Sequence, residues 1–304
     1  MGRGTPKNGF RMTAKRRRLI ESGQIDPTAP MARMDSSVPS VFEPRINFTP
    51  VKEETEAEIR DRISTRFEIM EEMVVAAAGG GLRSLIISGP AGVGKSYEAE
   101  KALKESCDQY EFIKGFTKAT GLYKLLWKHR EEGSVLVFDD CDAVFHDETS
   151  LNFLKAVCDT GKNRTVSYRS EYQMEDEDGE IIPGSFEFAG TVVFLTNLDF
   201  DLLISKGHKL TPHLEALESR SHYIDLSMRS KRDYLVRIAM VVEAGMLRGE
   251  GLNDEQAAEV MEFIHDNQDR LRELSLRMVV KIAGLVKSRS NWKRVAEITC
   301  LRNQ

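Results

Sequence analysis

Long apolar runs are missing from this chain. None approaches the ~18 residues that a membrane-spanning helix requires, so the reading is of a protein without a membrane span. Cysteine is scarce: Cys107, Cys141, Cys158 and Cys300 lie far apart and form no C-x-x-C pair. That argues against a zinc site and for a reducing compartment in which the thiols stay free. The histidines (His129, His146, His208, His213, His222 and His265) share no metal-ligand spacing. Proline is sparse after residue 50, because six of the nine prolines lie in residues 1–50. The basic N-terminus lacks the apolar stretch and cleavage site of a secretory signal, which points to the cytoplasm.

What is present suits a globular chain of about two domains: 304 residues, 41% apolar and 30% charged. The net charge of −5 hides an asymmetry. Seven of the 43 basic side chains lie in residues 1–20, with no acid among them, leaving 36 against 48 acids in the remainder. Residues 1–50, without periodicity and rich in proline, read as a disordered arm. Its Lys15-Arg16-Arg17-Arg18 cluster is either a contact for nucleic acid or an acidic partner, or a solvated tail.

The periodic elements begin after the arm. Ile59, Ile63, Phe67, Met70 and Val74 fall on one helical face over residues 53–78, and Gly79-Gly80-Gly81 stops that helix. Short apolar runs at 84–88, 134–138 and 191–195 read as strands buried on both faces. Weaker strands are expected at 111–115 and 222–226, and helices at 97–106, 120–131 and 149–160. Residues 163–188 interrupt this alternation with two strands, 165–168 and 181–188, flanking an acidic turn at 175–180. From residue 230 the pattern is wholly helical, near 230–248, 253–268, 275–289 and 291–301. The expected domains are the arm 1–50, an α/β core 51–227 containing the 163–188 hairpin, and a helical region 228–304.

Between the first strand and its helix stands Gly89-Pro90-Ala91-Gly92-Val93-Gly94-Lys95-Ser96, which fits G-x-x-x-x-G-K-[ST]. Glycines let successive N–H groups turn toward one anion, and the following helix points its positive end at the same place. In that pattern Lys95 reaches the β- and γ-phosphates and the Ser96 hydroxyl holds Mg²⁺. The strand at 134–138 ends in Asp139-Asp140. Asp139 suits a magnesium shell, and Asp140 suits orienting or deprotonating a water. Strands alternating with helices imply a parallel sheet whose ligands gather at the strand carboxyl ends. Gly89–Ser96, Asp139-Asp140 and Thr196-Asn197 should therefore converge.

These motifs resemble the AAA+ ATPase superfamily over roughly residues 59–293. The resemblance implies a P-loop core with a parallel sheet of order 5-1-4-3-2 and a small all-α C-terminal lid. It makes Gly89–Ser96 the Walker A motif and Val135–Asp140 the Walker B motif. Asn197 takes the sensor 1 position and Arg277 the sensor 2 position at the start of a lid helix. Arg220, after the helical stretch around Leu214–Leu217, takes the arginine-finger position that serves a neighbouring subunit. Each arginine also has a plainer reading as a surface residue. Phe116 lies where such rings carry a pore aromatic, though a core position is the ordinary reading. One departure stands out: family Walker B motifs end Asp-Glu, and Asp140 is one methylene shorter. The implied cofactors are ATP and Mg²⁺. The implied assembly is a homo-oligomeric ring, a hexamer, acting on a protein or nucleoprotein substrate, with possible nucleic-acid contact through residues 1–20. Two alternatives are a DNA-associated loader or clamp-type switch and a slowly hydrolysing nucleotide-dependent scaffold. Compact chains of this kind with basic arms resemble bacteriophage ATPases, for which the cytoplasm would be the host's.

Overall fold

The structure is a computed structural model that describes residues 54–115, 118–169 and 173–302. The basic arm, with its nucleic-acid reading, and Phe116 lie outside the described residues. Helix α1 (Glu56–Ala78) opens with a capping box in which Thr55 and Glu58 satisfy each other's backbone N–H groups. Its buried face is the one the periodicity marks, Ile59, Ile63, Phe67, Met70 and Val74. Met70 and Val74 are wholly buried, each worth roughly 1.5–3 kcal/mol of transfer free energy.

The sheet consists of β1 (Ser84–Ser88), β2 (Tyr110–Lys114), β3 (Val135–Asp139), β8 (Thr191–Thr196) and β9 (His222–Asp225). The order is β2-β3-β8-β1-β9 and every pairing is parallel. Counting these five strands in chain order, this is 5-1-4-3-2, as the resemblance implies. Every residue of β1, β3 and β8 is buried, which is why they read as unbroken apolar runs. One face of the sheet packs on α1 and α2 (Lys95–Ser106) through Leu85, Ile87, Val135, Val137 and Val193. The other face carries Ile86, Leu136, Phe138 and Phe194. It packs on α3 (Ala119–Lys128), α4 (Glu148–Val157), α5 (Phe200–Ser205) and α6 (Thr211–Glu218).

The insertion departs from two long strands. It forms two small antiparallel ladders, β4 (Thr165–Ser167) with β7 (Ser185–Glu187), and β5 (Met174–Glu175) with β6 (Ile181–Ile182). Pro183 and Gly184 break the run read as one strand over 181–188, since proline brings no N–H to a ladder. The C-terminal helices are α7 (Lys231–Glu243), α8 (Met246–Gly249), α9 (Asp254–Asp266), α10 (Leu276–Ser288) and α11 (Trp292–Cys300). They share their own core around Val260, Ile264, Val279, Ile282 and Ala296. The single helix expected over 230–248 is in fact α7 and α8, because Gly245 turns left-handed at φ 101° and ends the first.

Candidate functional site

The carboxyl ends of β1, β3 and β8 lie side by side, and the chain's polar motifs leave from them. Leu195 pairs with Asp139 and Thr196 with Ser88, so the loop after β1, the acids after β3 and Asn197 after β8 share one sheet edge. Residues 89–96 wrap from β1 into α2. Gly92 (φ 74°) and Gly94 (φ 103°) take left-handed conformations that side chains resist. Among the described residues, the N–H groups of Gly92, Val93, Gly94, Lys95 and Ser96 donate to no backbone carbonyl. A row of unspent donors at the start of a twelve-residue helix is a cradle for an anion.

Lys95 folds back into this cradle. Its ammonium donates to the carbonyls of Gly89 (2.6 Å) and Pro90 (3.0 Å) and to Asn197 Oδ1 (2.9 Å). Burial pushes its pKa down to about 8, against the opposing pull of Asp140 and Asp139. Ser96 Oγ donates to Asp139 Oδ1 at 2.8 Å. Asp139 Oδ2 faces Lys114 Nζ at 3.5 Å. Asp140, the only non-glycine residue with positive φ among those described (φ 54°), accepts from Asn197 Nδ2. Its other oxygen is 3.7 Å from the Arg277 guanidinium. Behind them, burial raises the pKa of Asp142, whose carboxylate accepts from Thr196 Oγ1 at 2.6 Å.

Arg277 reaches this edge because the C-terminal helices sit on the loop. Ser275 caps α10 by accepting from Met278 N, and Leu276 N donates to the Gly92 carbonyl at 2.8 Å. Arg220 lies elsewhere. Its guanidinium caps its own helix at the Ala216 carbonyl (2.6 Å), and its carbonyl accepts from Ser84 Oγ at the start of β1. It therefore sits at the opposite end of the sheet from the cradle of the same chain. The structure thus gathers Gly89–Ser96, Asp139, Asp140, Asn197 and Arg277, and leaves Arg220 apart.

Two further residues at the site escaped the sequence reading. Lys114 ends β2 in register with Asp139. A lysine closing an edge strand carries no signal of its own. Arg237 of α7 donates to the carbonyl of Val93. Its signal was an arginine between Val236 and Ile238 on a buried helical face.

The oxygen donors fit a hard divalent cation. Among the described residues no cluster of three His, Cys, Asp or Glu side chains could hold a metal alone. A nucleotide-bound Mg²⁺ needs only one or two protein oxygens, with phosphate and water supplying the rest, and Ser96 Oγ and Asp139 are such a pair.

The sheet order, the glycine loop between β1 and α2, the acids after β3 and the helices set on the loop match the P-loop core and helical C-terminal region that the AAA+ resemblance implies. No family model matches the chain. It is 39% identical over 266 residues to an uncharacterized 36.7 kDa protein from the nrdC-mobD intergenic region of Enterobacteria phage T4, covering 84% of this chain and 81% of that protein. By that identity and coverage, the chain belongs to the family of this phage protein. Among solved structures it is similar to NtrX from Brucella abortus in complex with ATP (TM-score 0.45, 14% identity, 75% of this chain and 50% of that one). It is also similar to domain III of the Thermotoga maritima replication initiation protein DnaA (TM-score 0.42, 12% identity, 78% and 90%). The chain spans about half the length of that NtrX chain.

Proposed function

We propose that this protein binds ATP with Mg²⁺ at the Gly89–Ser96 loop and hydrolyses it as part of a ring of identical subunits. The observation that carries the reading is the contact of Ser96 Oγ with Asp139 Oδ1, with Lys95 and Asn197 beside it. The loop N–H groups and Lys95 bind the phosphates, exchanging the contacts that Lys95 makes to loop carbonyls for charge-assisted ones. Bound Mg²⁺ supplies charge neutralisation at the transferring phosphoryl group, and Ser96 and Asp139 hold it. Asp140 and Asn197 hold and orient the attacking water, Asp140 accepting its proton. Arg277 adds positive charge from the C-terminal helices.

Arg220 sits at the opposite end of the sheet from its own cradle, so in this reading it serves the next subunit across a head-to-tail interface that closes into a ring. An arginine supplied in this way typically contributes 10³–10⁵-fold to turnover. The work done is the remodelling or movement of a protein or nucleoprotein substrate. The acidic 175–180 turn would repel phosphates, which favours protein contacts there.

A second reading, a slowly hydrolysing nucleotide-dependent scaffold, is favoured by Asp140. Its side chain is short and is tied to both Asn197 and Arg277.

The test is turnover of ATP by the full chain with Mg²⁺, by Arg220→Ala, by Lys95→Ala and by their mixtures. Hydrolysis lost in each variant and partly restored on mixing supports the ring. Mixed assemblies, verified by native mass spectrometry, that stay inactive refute the trans role. Saturable ATP binding with negligible wild-type turnover selects the scaffold.

A further inference from the structure

Arg237 is a cation where a helix-packing position would ordinarily be apolar. It lies in α7, is 6% exposed, and reaches out of the C-terminal helices into the loop that cradles phosphate. Nε donates to the Val93 carbonyl at 3.1 Å and Nη2 to Glu98 Oε1, on α2, at 3.0 Å. The flat guanidinium stacks on Phe67 of α1, with Cζ 3.6 Å from the ring centroid. Gly94 leaves room for it, since a Cβ there would lie 3.2 Å from Nη2. Burying a guanidinium costs more than burying an apolar side chain of similar volume, so packing alone does not account for it.

The contact with Val93 has a directional consequence. The described chain has no cis peptide bonds. In a trans peptide the C=O and the following N–H point in opposite directions. Gripping the Val93 oxygen from the C-terminal helices therefore turns the Gly94 N–H the other way, away from Arg237. We propose that Arg237 is a positioning residue of the nucleotide site, which fixes the Val93–Gly94 peptide in its phosphate-binding orientation and ties that orientation to the seating of α7. Phosphate binding and the docking of α7 then reinforce each other. A planar fork stacked on a ring can hold Val93 and Glu98 together, and a lysine cannot.

The inference rests on reading Gly89–Ser96 as the phosphate cradle, and the experiment separates the two. ADP binding with Mg²⁺ is measured by calorimetry on the full chain for wild type, Arg237→Lys, Glu98→Gln and Lys95→Ala, with thermal melting of each. The expected result is a loss of about tenfold or more in ADP affinity for Arg237→Lys, and near wild-type affinity for Glu98→Gln. A folded Arg237→Lys that binds ADP as wild type does, while Lys95→Ala does not, overturns the role of Arg237 and leaves the cradle standing. An equal loss in Glu98→Gln overturns it as well, because the ion pair alone then accounts for the effect. Unchanged affinity in Lys95→Ala refutes the cradle itself. Should Arg237→Lys fail to fold, amide exchange on wild type decides. ADP should slow exchange in residues 92–96 and 234–240 together, and slowing confined to the loop overturns the coupling.

Discussion

Asn197 Nδ2 donates to Asp140 Oδ1 at 2.5 Å, joining the acid after β3 to the amide after β8. Asp140 is held there in a left-handed backbone conformation that asparagine tolerates nearly as well as aspartate. Asp140→Asn should therefore fold and bind ATP as wild type does. An amide accepts no proton from water, and hydrolysis should fall by roughly 10²-fold or more. Single-turnover hydrolysis beside equilibrium ATP binding checks this. Wild-type turnover in Asp140→Asn would remove Asp140 from the chemistry.

Gly92 meets α10 at close range. A Cβ on it would lie 2.7 Å from Ser275 Cβ, at a φ of 74°. Gly92→Ala must strain the loop or push α10 away, breaking the bond from Leu276 N to the Gly92 carbonyl. At roughly 1–2 kcal/mol for a left-handed alanine, the melting temperature should drop by about 2–4 °C or more. ATP affinity should fall with it, and a thermal melt with calorimetry reads both.

Asp233 supports the junction between α1 and α7. It accepts from Arg229 N (2.9 Å), Ser230 Oγ (2.8 Å) and Arg62 Nη2 (3.0 Å). Burial alone would raise its pKa, but these bonds outweigh it and hold the carboxylate below its ordinary 3.8. A depressed acid stabilises the fold above its unfolded pKa, and that stability is lost as pH falls through the folded value. Asp233→Ala should cost about 3 kcal/mol near neutral pH. The gap from wild type should close as pH falls below about 4. Urea titrations across that range test it, and a gap independent of pH would contradict the assignment.

The fold was legible where one force dominated. Strands β1, β3 and β8 showed because burial on both faces leaves little but apolar residues, and α1 because its face repeats at helical spacing. Gly89–Ser96 showed as a loop between strand and helix because its glycines take backbone angles that few other residues adopt. The break between α7 and α8 was hidden, since a lone glycine within an apolar helical pattern is common and Gly245 acts through a backbone angle. Asp139 and Asp140 were legible as a strand-end pair, and their contacts with Lys114 and Arg277 were not, because strand register and helix docking decide them. Arg237 looked like one charge in a helical run until the packing put Val93, Glu98 and Phe67 around it.

The central claim is that Lys95 leaves its loop carbonyls for a phosphate. Titration calorimetry of ATP with Mg²⁺ into wild type and Lys95→Ala tests it most directly. The account predicts saturable binding to wild type and a loss of at least about tenfold in Lys95→Ala, with its melting behaviour preserved. Equal affinity in a folded Lys95→Ala would contradict it.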